Sequence, residues 1–229
     1  MATTKKDEAI HITPIMKERV KIRLIGTTPL ISHAWDEKAK RMMFEKQQKS
    51  TTTKAKEPKK PVHDFVNSLY WLTKKPTANT EDELAEKFDE AIKNGARFGF
   101  PANSIKMAAN AGAFRLGWVK NRMGLRGSYF VRGIMSDGTT NNNFIEISGC
   151  TPVMREDMVR VGMGTADIRY RGEFTNWYTD IEVEYNASGE VTLEQIVNCL
   201  NAGGYAAGIG EWRPERDGFC GMFEVAHVE

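Results

Sequence analysis

Few of the side chains able to do covalent chemistry stand where a catalytic site would need them. The histidines His11, His33, His63 and His227 show none of the short ligand spacings of a metal site. The cysteines Cys150, Cys199 and Cys220 are widely spaced and odd in number, so neither a disulfide framework nor a CxxC metal site follows. Cys220 has no identifiable histidine partner and reads as a small buried apolar residue. Neither a GxSxG elbow nor a P-loop occurs. The expectation is a chain that is not an enzyme, with no metal and no other cofactor.

Groups suited to phosphates and bases are present instead. Net charge is only +2, but the charge is clustered. From Arg115 to Arg132 stand Arg115, Lys120, Arg122, Arg126 and Arg132, with no acid among them. From Asp36 to Val62 nine basic residues outnumber four acids. Clustered positive charge on a near-neutral chain is what phosphate binding needs, although such a run also serves as plain solvated surface. The run from Gly203 to Val225 contains Gly203, Gly204, Gly208, Gly210, Gly218 and Gly221, which free the backbone for positive φ and close approach. Trp212 and Arg213 sit at its middle, where an aromatic plane can stack a base and an arginine can hold a phosphate. The other reading is a connecting loop whose Trp212 closes the core. In Asp167-Ile-Arg-Tyr-Arg171, strand alternation sets Arg169 and Arg171 on one face, either to meet phosphates or to pair with Asp167 or Glu173.

The elements that must position these groups can be read from period and punctuation. Residues 1–17 are polar and expected to be loosely ordered, with a single domain over 18–229. Val20, Ile22 and Leu24 alternate with Lys21 and Arg23, which predicts a half-buried strand ending at Gly26-Thr-Thr-Pro29. Asp36 can cap a helix through Lys38, Arg41, Phe44 and Lys46, and Lys49–Pro61 reads as a mobile loop. Helices are predicted over Val62–Leu72, from Thr80 with Glu83 as a capping box to Asn94-Gly95, and from Asn103 or Ser104. The last of these presents Ile105, Ala108, Ala109, Ala113 and Leu116, and Gly112 within it weakens the pattern. Strands are predicted at Tyr129–Met135, Phe144–Ile147, Met158–Val161, Ala166–Arg171 and Asn176–Tyr185. Thr192 with Gln195 opens a helix that Gly203-Gly204 should stop, and the chain closes on a strand at Met222–Val225. Without insertions at about 36–98 and 136–172, the order is the βαββαβ of an α+β, ferredoxin-like or RRM-like fold.

Three segments resemble one family. The glycine-rich run before the final strand is similar to the C-terminal glycine-rich loop of the RAMP superfamily of CRISPR-associated proteins. Phe98-Gly-Phe-Pro-Ala-Asn-Ser-Ile-Lys-Met-Ala-Ala-Asn110 resembles the signature that opens the first helix of its backbone subunits. Phe100, Pro101, Ser104, Ile105 and Lys106 match, while Ala102 and Met107 replace glycines and Asn110 replaces an arginine. Gly26-Thr-Thr-Pro-Leu-Ile31 resembles the segment after the family's first strand. Together the three cover about a fifth of the chain. The whole sequence also resembles uncharacterised proteins encoded by bacteriophages and prophages.

The resemblance implies a ferredoxin-like palm with a long inserted helical thumb, whose copies stack into a helical filament along single-stranded nucleic acid. Residues 36–98 would form that thumb. Asn103, Ser104 and Lys106 would offer backbone amides and an ammonium at a helix N-terminus, where phosphates bind well. Some members cut RNA with an aspartate in an inserted loop, and Asp36 beside His33 is the nearest counterpart, although its surroundings do not match and a capping role suits it better. The expected function is non-catalytic binding of single-stranded RNA or DNA by a homo-oligomer. The alternative is a protein-interaction, anti-defence or structural phage protein that imitates a CRISPR backbone subunit without binding nucleic acid. No run approaches the roughly 18 apolar residues of a membrane span, and no signal peptide opens the chain, so no membrane partner and a cytoplasmic setting in a bacterial host are expected.

Overall fold

The computed structural model describes residues 14–35, 58–121, 123–161 and 165–228, together with 40, 43, 44 and 47. The architecture is mixed α+β with antiparallel sheets. The first strand, β1 (Lys17–Gly26), buries Ile22 and Leu24 and turns its odd-numbered side chains to solvent. It lies in a five-stranded sheet ordered β11, β1, β10, β5, β6, formed with β5 (Tyr129–Ile134), β6 (Thr140–Asn141), β10 (Tyr178–Asn186) and β11 (Phe223–Val228). Every neighbouring pair in this sheet is antiparallel.

Helices α3 (Asn103–Arg115) and α4 (Leu193–Ala206) pack on each other, α3 against β5 and α4 against β11. Their contact runs through small residues. A Cβ on Gly112 would stand 2.4 Å from the backbone of Ala202, and one on Gly203 would stand 2.5 Å from the backbone nitrogen of Ala109. Gly112 therefore belongs inside its helix, because its missing side chain is what lets α4 approach. The same contact corrects the expected helix stop. Gly203 and Gly204 are buried within α4, and the chain leaves the helix after Ala206, with the amides of Ala207 and Gly208 both donating to the carbonyl of Gly203. Thr192 and Gln195 form the expected reciprocal capping box.

Two smaller sheets hold the insertions. One is ordered β2 (Leu30–Ser32), β9 (Thr165–Phe174), β8 (Val153–Val161), and the other β3 (Tyr70–Trp71), β4 (Phe98–Pro101), β7 (Phe144–Ile147). Helix α1 (Pro61–Ser68) packs on β9 and on α2 (Glu81–Lys93). The Ser68 hydroxyl accepts from the amide of Gly172, and its carbonyl accepts from the Ser32 hydroxyl, which ties α1 to β9 and β2. Residues 58–98 of the segment 36–98 are thus packed into the common core, with Phe65, Val66, Leu69 and Leu84 buried in the same cluster as Ile22 and Ile181. No helix among the described residues is long and apolar enough to cross a membrane.

Several boundaries differ from the sequence-based expectation. The helix expected over 62–72 ends at Ser68, because Tyr70 and Trp71 pair as a strand with Gly99 and Phe98 and set their rings edge-on and tilted against Phe100 and Phe98. Strand β8 starts at Val153, five residues before the expected Met158, since its charged residues face partners on β9. Strand β10 begins at Tyr178 and β11 ends at Val228. Thr80 caps α2 through the amide of Glu83, but the Glu83 carboxylate turns to Lys87 at 2.8 Å, so the box is half formed. The helix expected from Asp36 to Lys46 falls mostly outside the described residues, with Lys40, Met43, Phe44 and Gln47 helical. Most of the expected loop 49–61 and of the tail 1–17 lies outside them too.

Candidate nucleic-acid interface

Helix α3 ends at Arg115, and the amide of Trp118 then turns back to the carbonyl of Ala113 at 2.9 Å. The connection to β5 runs back along the helix and is held in two places. Leu125 is buried, and the Lys106 ammonium on the first turns of α3 donates to the carbonyl of Arg126 at 2.6 Å. The same ammonium lies 4.6 Å from the ring centre of Phe130 and 5.3 Å from that of Tyr129. Burial against these groups lowers its pKa. Lys106 is therefore a strap that shapes the loop.

This strap leaves Arg115, Lys120 and Arg126 exposed, interleaved with exposed Met107, Trp118, Met123 and Phe130, of which Trp118 is 54% exposed. Arg122 lies outside the described residues. At the N-terminus of α3, Asn103 is exposed and Ser104 half-buried, and the first turn has neither an acidic residue nor a side-chain cap. Sequence reasoning missed the aromatic and methionine members of this surface. The signal was available, because no acid stands between Glu90 and Asp137 while these residues recur between the cations. Asn110, which replaces the arginine of the family signature, is buried and accepts from the Tyr129 hydroxyl at 2.9 Å. Its role in this chain is to satisfy a core tyrosine.

The glycine-rich run forms a second exposed element, stitched to the turn after β1. The amide of Gly221 donates to Pro29 O, that of Glu211 to Ile31 O, and that of Met222 to the Thr28 hydroxyl. Two of the three segments that resembled one family thus touch. Gly208, Gly210 and Gly221 take positive φ, and a Cβ on Gly218 would meet the carbonyl oxygen of Trp212 at 1.8 Å. The glycines serve close approach of the chain to itself. Trp212 is 43% exposed with φ of 51°, so it does not close the core. Arg213 donates to Gly210 O at 2.8 Å and pairs with Glu215 at 3.2 Å, and the same carboxylate lies 3.6 Å from Arg115. Glu215 therefore joins the glycine-rich loop to the end of α3 and brings Arg115 and Arg213 together.

The remaining expected site residues lie elsewhere and are engaged. Arg132 sits on the solvent face of the large sheet between Glu182 at 3.1 Å and Glu184 at 3.2 Å. Arg19 and Arg23 on that face pair with Glu184 and Asp180. Cations and acids alternate there, so the acids offset much of the attraction that face could offer a polyanion. Arg169 and Arg171 do share a face, but Arg169 pairs with Asp167 at 3.1 Å. Arg171 is only 6% exposed, 3.4 Å from Asp157 and 3.9 Å from Glu211. A phosphate cannot reach it without breaking that cluster. His33 faces Glu211 at 3.4 Å, and this contact, opposed by burial and reinforced by Arg171 and Arg213, holds the Glu211 carboxyl below the usual carboxylate range. Asp36, the other half of the expected cutting pair, lies outside the described residues. Among the described residues no group of three or more His, Cys, Asp or Glu is arranged to hold a metal. No family model matches this chain, and no curated protein matches it at a significant level.

Proposed function

We propose that this chain binds single-stranded RNA or DNA, without acting on it as an enzyme, through the surface formed by the α3–β5 connection and the adjoining glycine-rich loop. The observation that carries this reading is the stretch from Arg115 to Phe130, itself without an acid, in which exposed Lys120 and Arg126 alternate with exposed Trp118, Met123 and Phe130, and Arg115 at its start lies 3.6 Å from Glu215 of the glycine-rich loop. Cations supply attraction to the backbone, and each aromatic plane can stack an unpaired base for about 1–3 kcal/mol. Duplex bases are already stacked, so the aromatic component favours single strands. The strand would run past the end of the large sheet, because the arginines on the sheet's solvent face are held by that face's own carboxylates.

The chain order β1, α3, β5, β10, α4, β11 with spatial order β11, β1, β10, β5 supports the reading of a ferredoxin-like palm and the likeness to RAMP backbone subunits. With it come the expectations of self-assembly along the strand and of a phage-derived chain acting in a bacterial cytoplasm. The test is to purify the chain under native conditions, measure its ratio of ultraviolet absorbance for nucleic acid over protein, and identify what co-purifies by nuclease sensitivity. Labelled oligonucleotides should then bind as single strands and stay full length, and Trp118→Ala combined with Lys120→Ala and Arg126→Ala should abolish binding while leaving the circular dichroism unchanged. A chain that purifies clean and ignores every oligonucleotide would sink the proposal in favour of a protein-interaction role.

A further inference from the structure

Strand β8 is the outer strand of the sheet ordered β2, β9, β8, so beyond it no strand pairs among the described residues. Such an edge is a template for another strand unless proline, a bulge or a covering element blocks it. β8 reads Val-Met-Arg-Glu-Asp-Met-Val-Arg-Val, with no proline, and its ladder with β9 runs without a register shift from Val153 to Val161. Its even-numbered side chains Met154, Glu156, Met158 and Arg160 share one face with Ile168 and Tyr170 of β9. All four are exposed, Met158 at 77%. The odd-numbered Arg155 and Asp157 are committed within the chain, to each other at 2.9 Å and to Glu173 and Arg171. Arg160 pairs with none of the described residues. Glu156 meets the Tyr170 hydroxyl but keeps free lone pairs.

We propose that β8 pairs antiparallel with β8 of a second copy of this chain, about a two-fold axis through Met158, joining two three-stranded sheets edge to edge. A two-fold axis normal to the sheet passes through one residue and sets residues equally far before and after it opposite each other. Centred on Met158, it places Glu156 opposite Arg160 of the partner subunit, and Arg160 opposite Glu156 of the partner subunit, around a central contact of the two methionines. Centred on Asp157 or on Glu156, it would set like carboxylates directly opposite, which destabilises. Centred on Val159, it would leave Arg160 facing methionine. Only the Met158 register pairs every exposed charge of the strand while bringing exposed apolar side chains together.

The pairing needs no nucleic acid and involves no residue of the interface proposed above. It is tested by sedimentation of the full chain after nuclease treatment, over a range of concentrations at low salt. The wild-type chain should dimerise. Glu156→Arg alone and Arg160→Glu alone each set like charges opposite twice, and each should weaken self-association roughly tenfold or more. Mixed in equal amounts, the two variants should form a heterodimer of wild-type strength, because every arginine then faces a glutamate. Met158→Lys should give a monomer. A wild-type chain that stays monomeric overturns the proposal, as does a dimer indifferent to both charge variants or a mixture that fails to recover. Binding of a short oligonucleotide should be unchanged in all three variants, so this contact and nucleic-acid binding can fail separately.

Discussion

Replacing Lys120 and Arg126 together by alanine tests the proposed interface most directly, because both side chains are exposed and neither is needed to shape the loop. The loop is held by Leu125 and by the Lys106 ammonium on the Arg126 carbonyl, a backbone group that survives the substitution. Each cation that contacts a phosphate adds about 0.7 to the slope of log affinity against log salt for single strands. Three contacts, from Lys120, Arg126 and Arg115, whose carboxylate neighbour Glu215 stands off at 3.6 Å, set a slope of about −2.1, so raising salt from about 50 to about 200 mM should weaken binding about 18-fold. With two contacts removed the slope is about −0.7 and the same change should cost only about 2.6-fold. Fluorescence anisotropy of a labelled homopyrimidine strand, titrated at four or more salt concentrations, reads both slopes. Arg132→Ala is the control, since its guanidinium is already held by Glu182 and Glu184 and its loss should leave the slope alone. An unchanged slope in the double variant, or a reduced one in the control, would refute the assignment of the interface.

Other expectations concern the frame that carries this surface. Gly203→Ala should gain up to about 1 kcal/mol from helix propensity, yet its Cβ would stand 2.5 Å from the backbone of Ala109. Overpacking should win, and urea denaturation should show a net loss of about 1–3 kcal/mol. Arg171→Ala strips one partner from buried Asp157, which keeps Arg155 at 2.9 Å, so stability should fall by about 2 kcal/mol with no change in the salt slope of binding. Ser68→Ala orphans the amide of Gly172 and should cost about 1–3 kcal/mol, read as a lowered thermal midpoint. The Glu211 carboxyl has its pKa lowered from 4.5 in the folded chain, so its contribution is present above that value and is lost as pH falls through the folded pKa. The urea midpoint should therefore drop as pH falls below about 4.5, and Glu211→Gln should flatten that part of the profile.

By itself the sequence determined the elements whose reasons are local. Alternation over Val20–Leu24 sufficed for β1, the Thr192–Gln195 pair for the start of α4, and the Pro101–Lys106 run for the start of α3. Clustered cations between Arg115 and Arg132 were legible for the same reason, since charge is counted along the chain. Tertiary contact decided the rest. Gly203 and Gly204 read as a helix stop and became helix interior because α3 and β11 press against them. Tyr70 and Trp71 left the helical pattern to set their rings edge-on and tilted against Phe100 and Phe98. Above all, the structure sorted the cations. Arg132 and Arg171 look like Lys120 and Arg126 in the sequence, but Glu182, Glu184, Asp157 and Glu211 reach the first two across strands and loops far away in the chain. A side chain's charge is written in its own residue, whereas its partner is chosen by the fold.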